Sequence, residues 1–319
     1  MDPFEQKQNS LAPNERFVPS TQQIPTDYIK RATADNTRKA YQQDIKHFEN
    51  WGGKLPTDTA SIIHYLHDHA DSLNTRTLAR RLTALRQFHR YQGFPDPTAH
   101  PSVQKTLRGI QNTHGKPKQR APALRLEQLA HAINMLSPED TLANARNRCL
   151  LTLGYFGALR GSELLNIQVT HLQFSEQGIT LQIPKSKTDQ AGEGLSCAIP
   201  KLGNAMCPFF HTQYWLERAG LSNGVLFTNI NRWDQIGTKS MTISGLNKLI
   251  KNIARRCEWR NPEKYSSHSL RRGLATSASG AGASFKSIMR QGRWRHEGTV
   301  LQYIEEGQAF EDNAVNALF

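Results

Sequence analysis

Residues 179–199 read ITLQIPKSKTDQAGEGLSCAI. Ile179, Leu181 and Ile183 alternate with Thr180 and Gln182, the period of a half-buried strand. Residues 195–199 can pair back on that strand across a long polar turn carrying Lys185 and Lys187. To either side the period is helical. Upstream, helices are expected over 126–136 and 138–156, with Gly157 as the C-terminal glycine of the second. Downstream they are expected over 204–219, 243–257, 270–279 and 284–291, and again around Tyr303. The sheet is therefore minor, and this half of the chain is mostly helical.

The first half is helical throughout. Tyr41, Ile45 and Phe48 fall at i, i+4 and i+7, Trp51 extends the stripe, and Gly52-Gly53 stops it. Leu78, Leu82, Leu85 and Phe88 form a second stripe. The expected fold is mainly α: a helical N-terminal domain, then a mixed, mostly helical domain with a small antiparallel sheet. The expected boundaries are a loose arm at 1–19, a helical domain at 20–113, a basic linker at 114–122 and the second domain at 123–319.

The 319 residues are 37% hydrophobic and 21% charged, with a formal net charge of +13. An excess this basic argues for a polyanionic partner. Cys149, Cys197, Cys207 and Cys257 stand apart with no zinc-ligand spacing, and read as reduced thiols of a cytosolic protein. The N-terminal residues lack a secretory apolar core, and no run is long enough to span a membrane. His64, His67 and His69 read as a polar helix face, because no Cys or acidic box joins them. Gly154, Gly157 and Gly161 do not follow a strand, which excludes a dinucleotide-binding turn. No metal site and no cofactor are expected.

Between Thr75 and Arg120 the sequence has ten Lys or Arg and one acid, Asp96. Solvated helix faces normally mix both signs, so a one-sign face suggests phosphate contact. The expected contacts are Arg76, Arg80, Arg81, Arg86 and Arg90, continued by Lys116, Lys118 and Arg120 of the linker.

Three boxes in the second half carry chemistry. In ALRGSEL, Arg160 is followed by a carboxylate at Glu163, which can hold the guanidinium toward an anion or simply pair with it. In HSLRRG, His268 and Arg271 share one helix face, a pairing suited to phosphoryl transfer but common by chance. In GRWRHEGTVLQYI, Tyr303 alone would read as a core aromatic. As a nucleophile it would need nearby cations to favour the phenolate.

In this order, with Trp294 nine residues before Tyr303, the boxes resemble the catalytic signature of the tyrosine recombinase (phage integrase) family. The form resembled is the Cre-like one, with Trp rather than a second His before the tyrosine. Thr37, Tyr41, Asp44, Phe48 and Trp51 are similar in spacing to the opening helix of that family's core-binding domain. The resemblance covers the chain from about residue 20.

The resemblance implies a metal-free DNA strand transferase. Arg160 and Arg271 would grip the scissile phosphate, and His268 would be the general acid/base. Trp294 would pack against the phosphate, and Tyr303 would be the nucleophile. Glu163 would support the site. Lys187 best matches the general acid toward the leaving oxygen, with Lys185 as the competing occupant. A homotetramer on inverted repeats is implied, and the apolar residues Ala314, Val315, Ala317, Leu318 and Phe319 suggest that residues 310–319 dock into a neighbouring protomer. Cytoplasmic, nucleoid-associated work in a bacterium or mobile element is also implied. The alternatives are a degenerate recombinase that only binds DNA and a type IB topoisomerase.

Overall fold

The structure is a computed structural model that describes residues 33–117, 119–184, 194–308 and 314–318. The expected arm at 1–19, Lys118, Lys185 and Lys187 lie outside the described residues. The chain divides into two compact units, residues 1–118 and 119–319.

The first unit holds α1 (Asp35–Trp51), α2 (Thr59–Asp68), α3 (Thr75–Gln92) and α4 (Pro101–His114). The starts of α2 and α3 follow from local chemistry. The Asp58 carboxylate accepts from the Ser61 N–H and the Asn74 side chain from the Arg76 N–H, satisfying donors that have no partner inside the helix. Gly52 ends α1 in the left-handed conformation, φ 109°, which a glycine adopts without steric cost. Phe48, Ile62, Tyr65, Leu66, Leu78, Leu82 and Leu85 form the core with Val103 and Ile110. Each such side chain contributes roughly 2 kcal/mol on leaving water. The α3 stripe differs from expectation at its end. Phe88 is only half-buried, and His89 fills the position, its Nε2 accepting from the Thr57 N–H at 3.0 Å.

One arginine of α3, Arg81, requires a correction. Arg81 is buried beside Asp44 of α1, at 3.6 Å, and donates to the Tyr65 hydroxyl at 2.9 Å. Arg80 pairs with the same carboxylate at 2.8 Å, and Arg86 with Asp96 at 3.3 Å. Burial pushes the Asp44 carboxyl up, outweighing the two arginines beside it. Arg81 therefore serves the core and not an exposed phosphate-facing surface. The one-sign count did not include Asp44, because that counter-charge comes from another helix. Arg76, Arg80, Arg90, Lys116 and Arg120 are exposed, and Arg86 is half-buried.

The second unit is built around α6 (Leu142–Phe156), flanked by α5 (Leu126–Leu136) and followed by the short α7 (Gly161–Leu165). Residues 144 to 155 of α6 are all buried, as expected of a helix enclosed on every side. Its buried polar groups are satisfied internally: Arg146 donates to the Thr228 carbonyl at 2.9 Å and Arg148 to that of Leu136 at 2.8 Å. The helix starts at Leu142 and not at 138. Thr141 caps it, and the Asp234 carboxylate accepts from the N–H groups of Leu142 and Ala143 at 2.7 and 3.0 Å.

The expected hairpin forms. Strands β1 (Leu172–Ser175), β2 (Gly178–Ile183) and β3 (Leu195–Pro200) make an antiparallel sheet in the order β1-β2-β3. Leu181 lies opposite Cys197 and Ile179 opposite Ile199, so the apolar alternation faces the core. A second pair, β4 (Thr228–Ile230) and β5 (Ile236–Ser240), was not foreseen. Helix α8 (Pro208–Arg218) begins four residues later than its period suggests, at a proline that needs no helical N–H partner. Helices α9 (Ile243–Arg256), α10 (Ser267–Gly280), α11 (Phe285–Gly292) and α12 (Glu297–Gln308) complete the unit. All four cysteines are free and buried. Among the described residues no helix is long and apolar enough to cross a membrane.

Candidate active site

The turn between α6 and α7 sets the site. Gly157 caps α6 but stays right-handed, φ −80°, and the left-handed residue is Ala158, φ 43°. A left-handed alanine costs energy, which the surrounding bonds must offset. Its own N–H reaches the Tyr155 carbonyl at 2.9 Å, and the Leu159 N–H reaches that of Gly154 at 3.1 Å. The turn delivers Arg160 to the N-cap of α7.

Glu163, buried one turn later, accepts from the Arg160 backbone N–H at 3.0 Å and from its guanidinium at 2.5 Å. Burial alone would raise the Glu163 carboxyl. The Arg160 hydrogen bonds, with the charges of Arg160 and Arg293, hold it below the usual carboxylate range. A Cβ on Gly161 would stand 2.6 Å from the Ser267 Oγ, so only glycine lets the start of α7 cross the start of α10 this closely.

Helix α10 begins at Ser267, three residues ahead of the expected 270. The Ser266 N–H donates to the Ser269 Oγ at 3.1 Å, and the Ser267 N–H to the Asn247 Oδ1 at 2.9 Å. His268 thus stands exposed in the first turn. Arg271 is buried, 4% exposed, and donates through one Nη to the Ala158 carbonyl. Its other Nη is buried with no hydrogen-bond partner among the described residues. Burial first, then the nearby Arg160, pushes the Arg271 guanidinium down to about 9, so it stays cationic at neutral pH.

Trp294 follows α11 and lies under Arg271, 4.3 Å from guanidinium carbon to ring centroid. A Cβ on Gly292 would lie 1.7 Å from the Trp294 ring, so the indole packs directly on that backbone. Trp294 meets Tyr303 of α12 edge-on, centroids 6.1 Å apart. Tyr303 is half-buried, with the Arg272 guanidinium 5.1 Å from its ring centroid. The Thr276 hydroxyl of α10 donates to the Tyr303 carbonyl at 3.1 Å.

The structure thus gathers Arg160, Glu163, Arg271, Trp294 and Tyr303, residues up to 143 positions apart in sequence. His268 stands one helical turn before Arg271. Arg293 received no role from the sequence, yet its side chain is buried here, 3.4 Å from the Glu163 carboxylate. Only its place inside the GRWRH box hinted at it. Three guanidinium groups around one carboxylate leave a buried cationic site, suited to an anion whose charge grows during reaction. Among the described residues no group of three or more His, Cys, Asp or Glu is arranged to hold a metal ion. His69 packs its ring against His47 and Tyr65.

Residues 122–309 match the phage integrase family, and residues 26–92 match the phage integrase N-terminal SAM-like domain. The chain is 32% identical over 300 residues to an integrase/recombinase xerD homolog of Selenomonas ruminantium, covering 91% of this chain and 87% of the relative. It is 28% identical over 178 residues to the tyrosine recombinase XerC of Staphylococcus aureus (strain JH9), covering 53% and 57%. Among solved structures, it resembles the XerH site-specific recombinase bound to a palindromic difH substrate. The TM-score is 0.59 at 17% identity, over 89% of this chain and 78% of that one. It also resembles the Tn1549 transposon integrase in complex with transposon right end DNA. There the TM-score is 0.61 at 13% identity, over 90% and 92%. At these identities the structural likeness speaks for the fold.

Proposed function

This chain belongs to the phage integrase family of tyrosine recombinases, and from that premise we propose that it is a site-specific DNA recombinase with Tyr303 as its nucleophile. Its partner is double-stranded DNA, a reading supported by the Tn1549 integrase, which is in complex with transposon right end DNA. The observation that carries the residue assignment is Arg271. It is a buried cation whose second Nη has no hydrogen-bond partner among the described residues, beside Arg160 and one aromatic ring removed from Tyr303.

The chemistry follows from that grouping. The Tyr303 oxygen attacks the scissile phosphorus and passes its proton to His268. A Tyr303 O–P bond forms, the P–O5′ bond breaks, and a 3′-phosphotyrosine results. Arg160 and Arg271 neutralise the non-bridging oxygens as charge builds on the phosphorane. Glu163 holds Arg160, and Trp294 walls the phosphate. Lys187, with Lys185 as its competitor, protonates the leaving 5′ oxygen. A 5′ hydroxyl of the exchanged strand then reverses the step. Each ester is traded for another, so no nucleotide cofactor is consumed.

The finer reading is a homotetramer on inverted repeats, acting through a Holliday junction. Residues 20–113 and the 114–122 linker contribute DNA contacts through Arg76, Arg80, Arg86, Arg90, Lys116, Lys118 and Arg120. The work is cytoplasmic and nucleoid-associated. A topoisomerase or a purely DNA-binding role is not favoured by relatives that are recombinases. The test is a denaturation-resistant protein–DNA adduct on a nicked duplex. Wild type should form it, and Tyr303→Phe should not. An adduct that persists in the Phe variant would assign the nucleophile elsewhere.

A further inference from the structure

Arg293 occupies a backbone position that disfavours it. It caps α11 in the left-handed conformation, φ 54° and ψ 43°, where glycine or asparagine is the ordinary choice. An arginine held there must gain through its side chain what it loses in its backbone.

The side chain is 6% exposed and its contacts are specific. One Nη donates to the Gln291 carbonyl at 2.8 Å. The other donates to the Gly157 carbonyl at 3.0 Å, and lies 3.5 Å from that of Ala158 and 3.4 Å from the Glu163 carboxylate. Two of these acceptors are the supports of the phosphate-facing arginines. The Ala158 carbonyl also receives Arg271, and Glu163 also holds Arg160. Neighbouring Gln291 ties the same segment to the rest of the site. Its amide donates to the Phe156 carbonyl at 2.8 Å and to that of Ala198 in β3 at 3.1 Å.

We propose that Arg293 is a positioning residue for strand cleavage, fixing Arg160 through Glu163 and Arg271 through the Ala158 carbonyl. The assignment rests on the recombinase reading of this site. Arg293 touches no substrate. It holds the strained Ala158 turn and the Glu163 carboxylate in one geometry, so both guanidinium groups meet the phosphate without rearrangement. The competing role is that of a core arginine whose loss simply unfolds the unit.

Arg293→Gly separates the two, because glycine accepts φ 54° and the variant relieves backbone strain. The full chain would be tested on a duplex selected from a randomised pool by binding, nicked at successive positions across its centre. Adduct formation should slow by about 100-fold, the scale of a 1 Å misplacement. Affinity for the same duplex should stay within about twofold, since ground-state binding is not removed. Free guanidinium ion at millimolar concentration should restore part of the rate in Arg293→Gly, and none in Tyr303→Phe. Cleavage by Arg293→Gly at the wild-type rate would overturn the proposal. So would a loss that follows a fall in melting temperature and is not restored by guanidinium. A wild-type chain that forms no adduct on any nicked duplex would instead remove the recombinase premise, and the proposal with it.

Discussion

The Arg271 guanidinium lies over the Trp294 indole, 4.3 Å from its ring centroid, and the same indole meets the Tyr303 ring edge-on. One aromatic side chain thereby sets the spacing between a cation of α10 and the hydroxyl-bearing ring of α12. Trp294 is 9% exposed, so packing and cation–π attraction act on it together.

Trp294→Ala should therefore remove both a wall and a spacer. Truncating a buried tryptophan costs about 3–5 kcal/mol, read as a fall in the urea midpoint. Trp294→Phe keeps a ring over which Arg271 can lie, and should retain most of the stability and a measurable rate of adduct formation. Equal loss in both variants would mean that the indole's position between Arg271 and Tyr303 does not matter.

Arg271 should show function opposed to stability. Burial holds its pKa down to about 9, so its charge is a cost to the folded state at neutral pH, relieved only as the pH rises through that value. Arg271→Met fills similar space without the charge. The variant should be no less stable to heat than wild type, while adduct formation falls by about 100- to 1,000-fold, as for loss of one preorganised donor. A variant that unfolds outright would show that Arg271 chiefly serves the fold.

Glu163 predicts a pH dependence. Its folded pKa lies below the unfolded value, so its contribution is complete above about pH 4.3 and is lost as the pH falls through the folded value. Glu163→Gln should lower stability at pH 7 by about 3–5 kcal/mol, because Arg160 and Arg293 lose their buried counter-charge. As the pH falls through the folded value, the variant and wild type should converge. Denaturation midpoints measured from pH 3 to 8 check the convergence.

Arg81 and Arg90 belong to one helix and should behave differently. Arg81→Ala leaves Asp44 with less compensation in a buried site, and should destabilise the first unit by about 2–4 kcal/mol. Arg90→Ala, at an exposed position, should leave the melting temperature unchanged. Its DNA affinity should fall at every sequence tested, and the slope of log affinity against log salt should drop by about one.

Local periodicity was enough to place most helices and the β2–β3 hairpin, because each buries one face and repeats at 3.6 or 2 residues. The second sheet escaped because β4 and β5 are short and their outer residues exposed. The start of α6 escaped because Asp234, 92 positions away from Leu142, supplies its cap. The order of the ALRGSEL, HSLRRG and GRWRHEGTVLQYI boxes pointed to the family and to Tyr303 before any geometry was available. Local sequence could not say which cations are paired. Arg80 and Arg81 looked alike with Arg90 until α1 brought Asp44 against two of them. Arg293 has no role legible in the sequence, and the left-handed turns at Ala158 and Arg293 fold its side chain onto Glu163. A side chain's type and spacing are written in the chain, whereas its counter-charge and desolvation depend on segments that only folding brings within a few ångströms.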